Sequence, residues 1–303
     1  MKSVAQLEYG DVSSRCMILD ELHFNSQIGT VVYSAADQVS GNLVVLKYSD
    51  LSNKGGQSKF VSEITSLVLL EGEDGFPKYL RSGRKDNINH LVTSYDGDLN
   101  LVDLAKSRED YSSPDLETDL RIAHQLTKRC EVMHGYGILN RDIKPANVII
   151  SDEGKVTLID FNVSVFGKRS HKAKGTFCFP VNSGSVMGSP GYFSSELIGV
   201  SGLPGYSEYS DVRSLGITIH TLMSGTGESP FWHLSHVLRG DRLPQLHKTR
   251  APITERVSEV LDWSTDPNWE ERPKARQFRK EGLEPLMESM GIDWEELPDL
   301  KAA

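Results

Sequence analysis

NRDIKPANVII, residues Asn140 to Ile150, sets a polar head against an apolar tail. Val148, Ile149 and Ile150 suit a buried strand. Arg141, Asp142, Lys144 and Asn147, gathered around Pro145, do not. Such crowding is either a solvated turn or a site that needs an acid, two cations and an amide in one place. Thirteen residues beyond Asn147, after the apolar pair Leu158-Ile159, comes Asp160-Phe161-Asn162. Asp and Asn oxygens are hard ligands suited to Mg²⁺, which takes few carboxylates and leaves room for phosphate oxygens. A second carboxylate off the metal can accept a proton from an alcohol. Lys144 can neutralise charge on a moving phosphoryl group. Asp160 alone is an ordinary strand-end turn residue; the combination is far more specific than any member.

The bulk numbers narrow the setting. The chain has 303 residues and a net charge of -9, enough for one large domain or two lobes. An apolar share of 38% with 25% charged residues is ordinary for a globular protein. An acidic balance argues against sequence-independent nucleic-acid binding, which wants a basic surface. No run approaches the roughly 18 apolar residues of a membrane span. MKSVAQLEYGDVSSRC, at the start, contains acids and no apolar core, unlike a signal peptide. The three cysteines, Cys16, Cys130 and Cys178, lie far apart without metal spacing, as in a reducing compartment. A cytoplasmic or nuclear setting is expected, with no membrane and no nucleic-acid partner.

Up to Thr93 the signals are strand-like. Cys16 to Phe24, Gly29 to Ala35 and the run Val39 to Lys47, turned at Ser40-Gly41-Asn42, read as a meander of hairpins. One helix interrupts it over 57–70, with Phe60, Ile64, Leu67 and Leu70 as its apolar stripe. Ile88 to Tyr95 reads as two strand segments or the end of one. After the turn Asp96-Gly97-Asp98 the pattern becomes helical. Leu116, Leu120, Ala123, Leu126, Cys130 and Met133 repeat as one buried helix face. A hairpin joins Val148–Ile150 to Lys155–Ile159. From Asn162 to Phe193 there is no clear period, and loops of that length are usually functional or disordered. Helices are expected over Asp211–Ser224, Ile253–Trp263 and Ala275–Met290.

NRDIKPANVII followed by LIDFN resembles the catalytic and metal-binding loops of the eukaryotic-type serine/threonine protein kinases, H-R-D-L-K-x-x-N and then D-F-G. The resemblance extends from about Leu19 to Phe278 in the family's order. Val44-Val45-Leu46-Lys47 resembles V-A-I-K, whose Lys contacts the α- and β-phosphates of ATP. Lys59 to Glu63 resembles the helix start that supplies its ion-pair partner, Glu63. Leu91 to Leu99 resembles the hinge, with the adenine ring against backbone groups near Ser94 and Asp96 and Thr93 guarding the pocket. Gly188 to Glu196 resembles G-T-P-x-Y-x-A-P-E, with Ser189 at the Thr position. Tyr209 to Gly216 resembles Y-S-D-V-W-S-L-G, which implies that Asp211 braces the backbone of Asn140 and Arg141. Glu271-Arg272-Pro273 resembles the late Arg that pairs with the last Glu, here Glu196.

Departures are as informative. Matching Gly29-Thr30-Val31 to the end of G-x-G-x-x-G-x-V leaves Phe24 and Ser26 at the first two glycines, where bare backbone would approach phosphates. Val45 replaces the Ala that packs on adenine. Asn140 replaces His, and Asn162 replaces Gly, where Asn tolerates a left-handed backbone. Ser194 and Ser195 replace Ala-Pro, and Arg213 replaces Trp. The segment from Asp160 to Glu196 carries Lys168, Arg169, His171, Lys172 and Lys174. These form either a solvated loop or a basic strip for an acidic partner or the chain's own phosphate. Arg141 would receive such a phosphate, with Ser183 and Ser185 the leading acceptors and Thr176 behind them.

The resemblance therefore implies an α+β fold of two lobes in one domain, 1–303. A small β-rich lobe with one main helix (1–93) joins a larger α-rich lobe (99–303) through a hinge at 94–98. It implies transfer of the γ-phosphoryl of Mg-ATP to protein Ser or Thr hydroxyls. Asp142 and Lys144 would be catalytic. Lys47, Glu63, Gly29, Val31, Val45, Ser94 and Asp96 would hold ATP, and Asn147 and Asp160 would hold Mg²⁺. A protein substrate is the implied partner, with control in the activation segment or in partners. The other readings are a scaffold that has lost turnover and a small-molecule kinase on the same fold.

Overall fold

The computed structural model describes residues 15–25, 29–50, 56–107, 115–170, 175–180, 187–198, 205–231, 234–250, 253–298 and 300. The chain divides into two compact units. One takes Met1–Gly72 and Phe76–Asp96, the other Glu73–Gly75 and Gly97–Ala303.

The first unit is an antiparallel sheet with one helix. Its strands are β1 (Cys16–Asn25), β2 (Thr30–Asp37), β3 (Leu43–Asp50), β4 (Tyr79–Lys85) and β5 (Ile88–Ser94), in the order β1-β2-β3-β5-β4. Helix α1 (Gly56–Leu69) lies between β3 and β4 in the chain. Gly41, at φ 73°, turns the β2–β3 hairpin, a backbone that side-chain-bearing residues avoid. β3 is central, so Val44, Leu46 and Tyr48 bury one face against Val31, Tyr33, Ala35 and Val92. Period-two side-chain direction puts Val45 and Lys47 on the opposite face. β4, YLRSGRK, is mostly polar and gives no apolar alternation; it forms because Asp86, at φ 53°, turns it back on β5. Its Arg81 pairs with Asp37 at 2.7 Å, and that hydrogen bond holds the buried Asp37 carboxyl down at about 2. The segment Ile88 to Ser94 is one strand, not two.

The second unit opens with β6 (Leu99–Asn100) and α2 (Leu101–Ser107), followed by α3 (Leu116–Gly135). All six residues of the expected α3 stripe are buried, but so are Thr118, Asp119, Arg121, His124, Gln125 and His134. α3 is enclosed nearly all round, which a one-face reading understates. Strands β7 (Ile138–Leu139), β8 (Val148–Ile150), β9 (Val156–Leu158) and β10 (Val165–Phe166) follow. Small sheets β6-β8-β9 and β10-β7 hold the NRDIKPANVII loop between short fixed strands. The stretch expected to lack period carries β11 (Lys168–Ser170) and β12 (Thr176–Pro180). With β13 (Gly205–Ser207) they make a third sheet in the order β11-β12-β13.

Helix α4 (Glu208–Ser224) is capped by Ser207 and Ser210 and closed by Gly225 in the left-handed conformation, φ 71°. It is buried from Glu208 to Met223 and packs on α3. Helices α5 (Leu234–Arg239), α6 (Glu255–Ser264), α7 (Ala275–Gln277) and α8 (Glu284–Ser289) complete the unit. The single helix expected over Ala275–Met290 is interrupted by a wide π-type turn at Phe278–Leu283. Pro285, which lacks an N–H to donate, sits at the start of α8 and favours that slack.

Candidate active site

In the first unit the expected ion pair of Lys47 and Glu63 forms. Lys47 Nζ donates to both Glu63 oxygens at 2.9 Å, with side chains 13% and 8% exposed. Lys47 is fixed by the two ladders of β3, and Glu63 projects from the buried side of α1. Lys47 lies opposite Val32 and Leu91, and Val45 lies opposite Ser34 and Thr93. Residues paired across an antiparallel ladder share a face. Val32 therefore stands beside Lys47. Val31, expected among the nucleotide contacts, lies opposite Tyr48 and belongs to the buried core, 3% exposed. Val31 and Val32 differ by one residue, which is enough to flip the face. Gly29 is left-handed at φ 61°, and its carbonyl accepts from Asp50 N–H at 3.0 Å. Ser26, at an expected glycine position, falls outside the described residues.

The Ser94 N–H and hydroxyl are both engaged. The N–H donates to the Lys78 carbonyl at 3.0 Å, and the hydroxyl accepts from Lys78 N–H at 2.8 Å while donating to Asp96 Oδ2 at 2.9 Å. Burial pushes the Asp96 carboxyl up, opposed by Ser94 and by Lys78.

In the second unit the polar head of NRDIKPANVII closes around Asp142. Asp142 Oδ2 accepts from Lys144 Nζ at 2.8 Å and from Asn147 Nδ2 at 3.1 Å. Asn147 Nδ2 also donates to the Asp142 carbonyl at 2.9 Å. Asp142 Oδ1 is buried with no hydrogen-bond partner. Orphaned buried oxygens are rare in folded proteins and call for an explanation. Lys144 reaches further, donating to Ser189 Oγ at 2.8 Å, so the expected Ser189 meets the catalytic loop.

The loop is braced from below. Asp211 accepts from Asn140 N–H and Arg141 N–H, both at 2.9 Å, as the resemblance implied. His134 Nε2 lies 3.1 Å from the same carboxylate, a third partner that sequence reading missed because His134 was one more buried position on α3. The brace holds Arg141 in a left-handed backbone, φ 71°. Asp160 is left-handed too, φ 62°, with Phe161 fully buried behind it. Non-glycine residues held in that conformation cost about 1–3 kcal/mol and cluster at functional sites. Ile159 N–H donates to the Asn147 carbonyl at 2.9 Å, which ties the strand leading into Asp160 to the catalytic loop.

Glu196 and Arg272 form the expected pair, both side chains 0% exposed, with oxygens at 2.5 and 3.1 Å from the guanidinium nitrogens. Arg213, at the family's Trp position, is buried beside them. It donates to the Thr265 carbonyl and lies 5.2 Å from the Phe231 ring centroid. Burial, then the like charge of Arg272, lowers its pKa to about 10. Thr176, a candidate phosphate acceptor, is 0% exposed in β12, so modification there requires the strand to open. Ser183, Ser185, His171, Lys172 and Lys174 lie outside the described residues. Of the basic strip, Arg169 stacks on Phe177 at 4.5 Å rather than standing free.

Three relatives are similar to this chain in sequence. A probable serine/threonine-protein kinase of Clostridium perfringens is 29% identical over 191 residues, 61% of this chain and 26% of that protein. MAP3K epsilon protein kinase 1 of Arabidopsis thaliana is 29% identical over 195 residues, 64% of the chain and 13% of that protein. The serine/threonine/tyrosine-protein kinase HT1 of the same plant is 26% identical over 220 residues, 73% of the chain and 52% of its own length. The aligned stretch thus spans between about an eighth and a half of these relatives. The family model for the protein kinase domain matches residues 25–283, most of the chain, and the two units are the β-rich and helical lobes of that fold. The chain belongs to the protein kinase domain family.

Proposed function

We propose that this domain transfers the γ-phosphoryl group of Mg-ATP to Ser or Thr hydroxyls of protein substrates. The observation that carries the reading is the divided Asp142 carboxylate. Oδ2 is held by Lys144 and Asn147, while Oδ1 is buried without a donor. A substrate hydroxyl docked at Oδ1 supplies that donor, and the carboxylate then takes its proton as the oxygen attacks. Because Oδ1 is closed to solvent, substrate entry moves the side chains that cover it.

The residues present fit the nucleotide and its metal. Both hydrogens on Asn147 Nδ2 go to Asp142, which leaves Asn147 Oδ1 without a donor among the described residues. No group of three His, Cys, Asp or Glu suits a metal among the described residues. Mg²⁺ does not need one, since it keeps waters and phosphate oxygens around one or two protein carboxylates. Asn147 and Asp160 would hold it, and Lys47, kept straight by Glu63, would bind the α- and β-phosphates. Bound Mg-ATP supplies the phosphoryl group and the charge neutralisation around it. Lys144, bridging Asp142 and Ser189, offsets charge on the moving group. Such transfer depends on positioning and electrostatics, and a formed Lys–Glu pair belongs to the competent arrangement. The relative described as a probable serine/threonine-protein kinase supports the choice of hydroxyl.

The test is transfer of labelled phosphate to generic protein substrates, with and without a chelator, followed by phosphoamino-acid separation. Label on Ser and Thr that disappears on chelation is expected. Label confined to Tyr removes the substrate class, and no transfer with intact ATP binding leaves a scaffold.

A further inference from the structure

Arg141 adjoins the catalytic Asp142, yet no acidic side chain forms an ion pair with it among the described residues. Burial lowers the pKa of its guanidinium, with Tyr206 and Asp211 opposing the shift. Nε donates to the Val163 carbonyl at 2.5 Å. The guanidinium carbon lies 4.9 Å from the Tyr206 ring centroid and 5.7 Å from that of Phe179. Phe179 and Tyr206 are paired across the β12–β13 ladder, so one sheet presents both rings. A guanidinium with weak hydration is well served by aromatic faces.

Tyr206 works in a second direction. Its hydroxyl accepts from Met187 N–H at 3.0 Å and donates to the Met187 carbonyl. The next residue, Gly188, is at φ 112°, and a Cβ there would stand 2.3 Å from the Arg141 carbonyl oxygen. After it comes Ser189, bonded to Lys144. One side chain thus touches the neighbour of the base and clamps the segment that brings Ser189 to Lys144. β12 is already paired with β11 on one side and β13 on the other, without any added charge.

We infer that Tyr206 is a positioning residue that keeps the catalytic loop and the end of the activation segment in register, so that phosphoryl transfer does not require a phosphate on that segment. The inference rests on the protein-kinase reading. The guanidinium that would meet a phosphate already packs on two rings, and the described strands of that segment, β11 and β12, are already paired.

The test uses the full chain. Wild type is treated with a broad phosphatase, checked by intact mass, and assayed against untreated protein. Treated protein is expected to keep at least about half its rate, within the range of a merely peripheral group. Tyr206→Phe keeps the ring and loses the clamp. Its KM for protein substrate is expected to rise about 5–10-fold with little change in KM for ATP, as for two lost hydrogen bonds. Tyr206→Leu also loses the stack, and kcat is expected to fall at least about tenfold through misplacement of the loop. A phosphatase loss greater than about tenfold, against the same scale, overturns the inference. So does a Tyr206→Phe protein indistinguishable from wild type. If wild type transfers no phosphate, the kinase reading fails first, and amide hydrogen exchange over 187–193 decides this one. Faster exchange in Tyr206→Phe, with none caused by phosphatase, supports it; equal exchange in the two proteins, or faster exchange after phosphatase, overturns it.

Discussion

Replacing Arg272 with Ala strands Glu196. Arg272 gives the carboxylate two charged hydrogen bonds and also donates to the carbonyls of Tyr209, Asp266 and Pro267. Both side chains are fully buried, so water cannot replace the lost partner. Removing one member of a buried ion pair costs about 3–5 kcal/mol. Arg213 stays close enough to lower the Glu196 pKa, which argues for the bottom of that range. A loss of about 3 kcal/mol in a lobe of this size lowers the melting midpoint by roughly 6–12 °C.

The pH dependence checks the cause. In wild type, burial alone would raise the Glu196 carboxyl, but Arg272, its hydrogen bonds and Arg213 hold it below the ordinary 4.5. A depressed folded pKa gives stability that is present above 4.5 and lost as pH falls through the folded value. Without Arg272, burial gains the upper hand. The variant's carboxyl then protonates at higher pH, and protonation relieves the stranded charge. The difference between the two proteins should therefore shrink as pH is lowered toward 4.5. Denaturant unfolding of both proteins at several pH values measures it. A difference under about 1 kcal/mol, the scale of a surface pair, or one that stays constant with pH, refutes the reasoning.

Other expectations concern the site. Lys47→Met should lower transfer by about 10²–10³-fold, as for loss of a preorganised charge contact, and should remove stabilisation by Mg-ATP. In wild type that stabilisation should reach ~2.7 kcal/mol at a hundredfold excess over Kd, readable as a thermal shift. Val32→Phe should block the same shift, because Val32 stands beside Lys47. Val31→Ala should instead destabilise the lobe by about 1–3 kcal/mol through a core cavity and leave the shift intact; the opposite pattern in the two valines reverses the assignment. Ser189→Ala should cost about 2–10-fold in kcat/KM for protein substrate, one hydrogen bond to Lys144, without altering the Mg-ATP shift.

How much the sequence revealed depends on how local each signal was. The cluster around Asp142 was legible because Asp142, Lys144 and Asn147 crowd into one short loop before an apolar strand. The Asp211 brace and the Glu196–Arg272 pair were legible through motif likeness, since nothing local reveals a partner seventy or more residues away. Adjacent valines at 31 and 32 were not separable, because a ladder register decides which one faces Lys47. Nor was the left-handed residue of the metal loop. Asn162 has the side chain that tolerates such a backbone, yet the positive φ lies at Asp160, next to the residue tied to Asn147. β4 was hidden by its polar composition, and β11 and β12 by a partner, β13, that arrives much later in the chain. Arg141 was read as waiting for a phosphate. Only the folded chain brings Tyr206 and Phe179 to it.

The central claim is that Asp142 acts as the base for phosphoryl transfer, and Asp142→Asn addresses it most directly. The amide keeps the size of the carboxylate and cannot take a proton. Initial rates of label transfer to protein are compared with wild type at saturating Mg-ATP, alongside the melting midpoint and the Mg-ATP thermal shift. The rate is expected to fall by about 10²–10⁴-fold, the usual contribution of a positioned base, while the midpoint and the shift stay close to wild type. Equal rates in the two proteins would contradict the account.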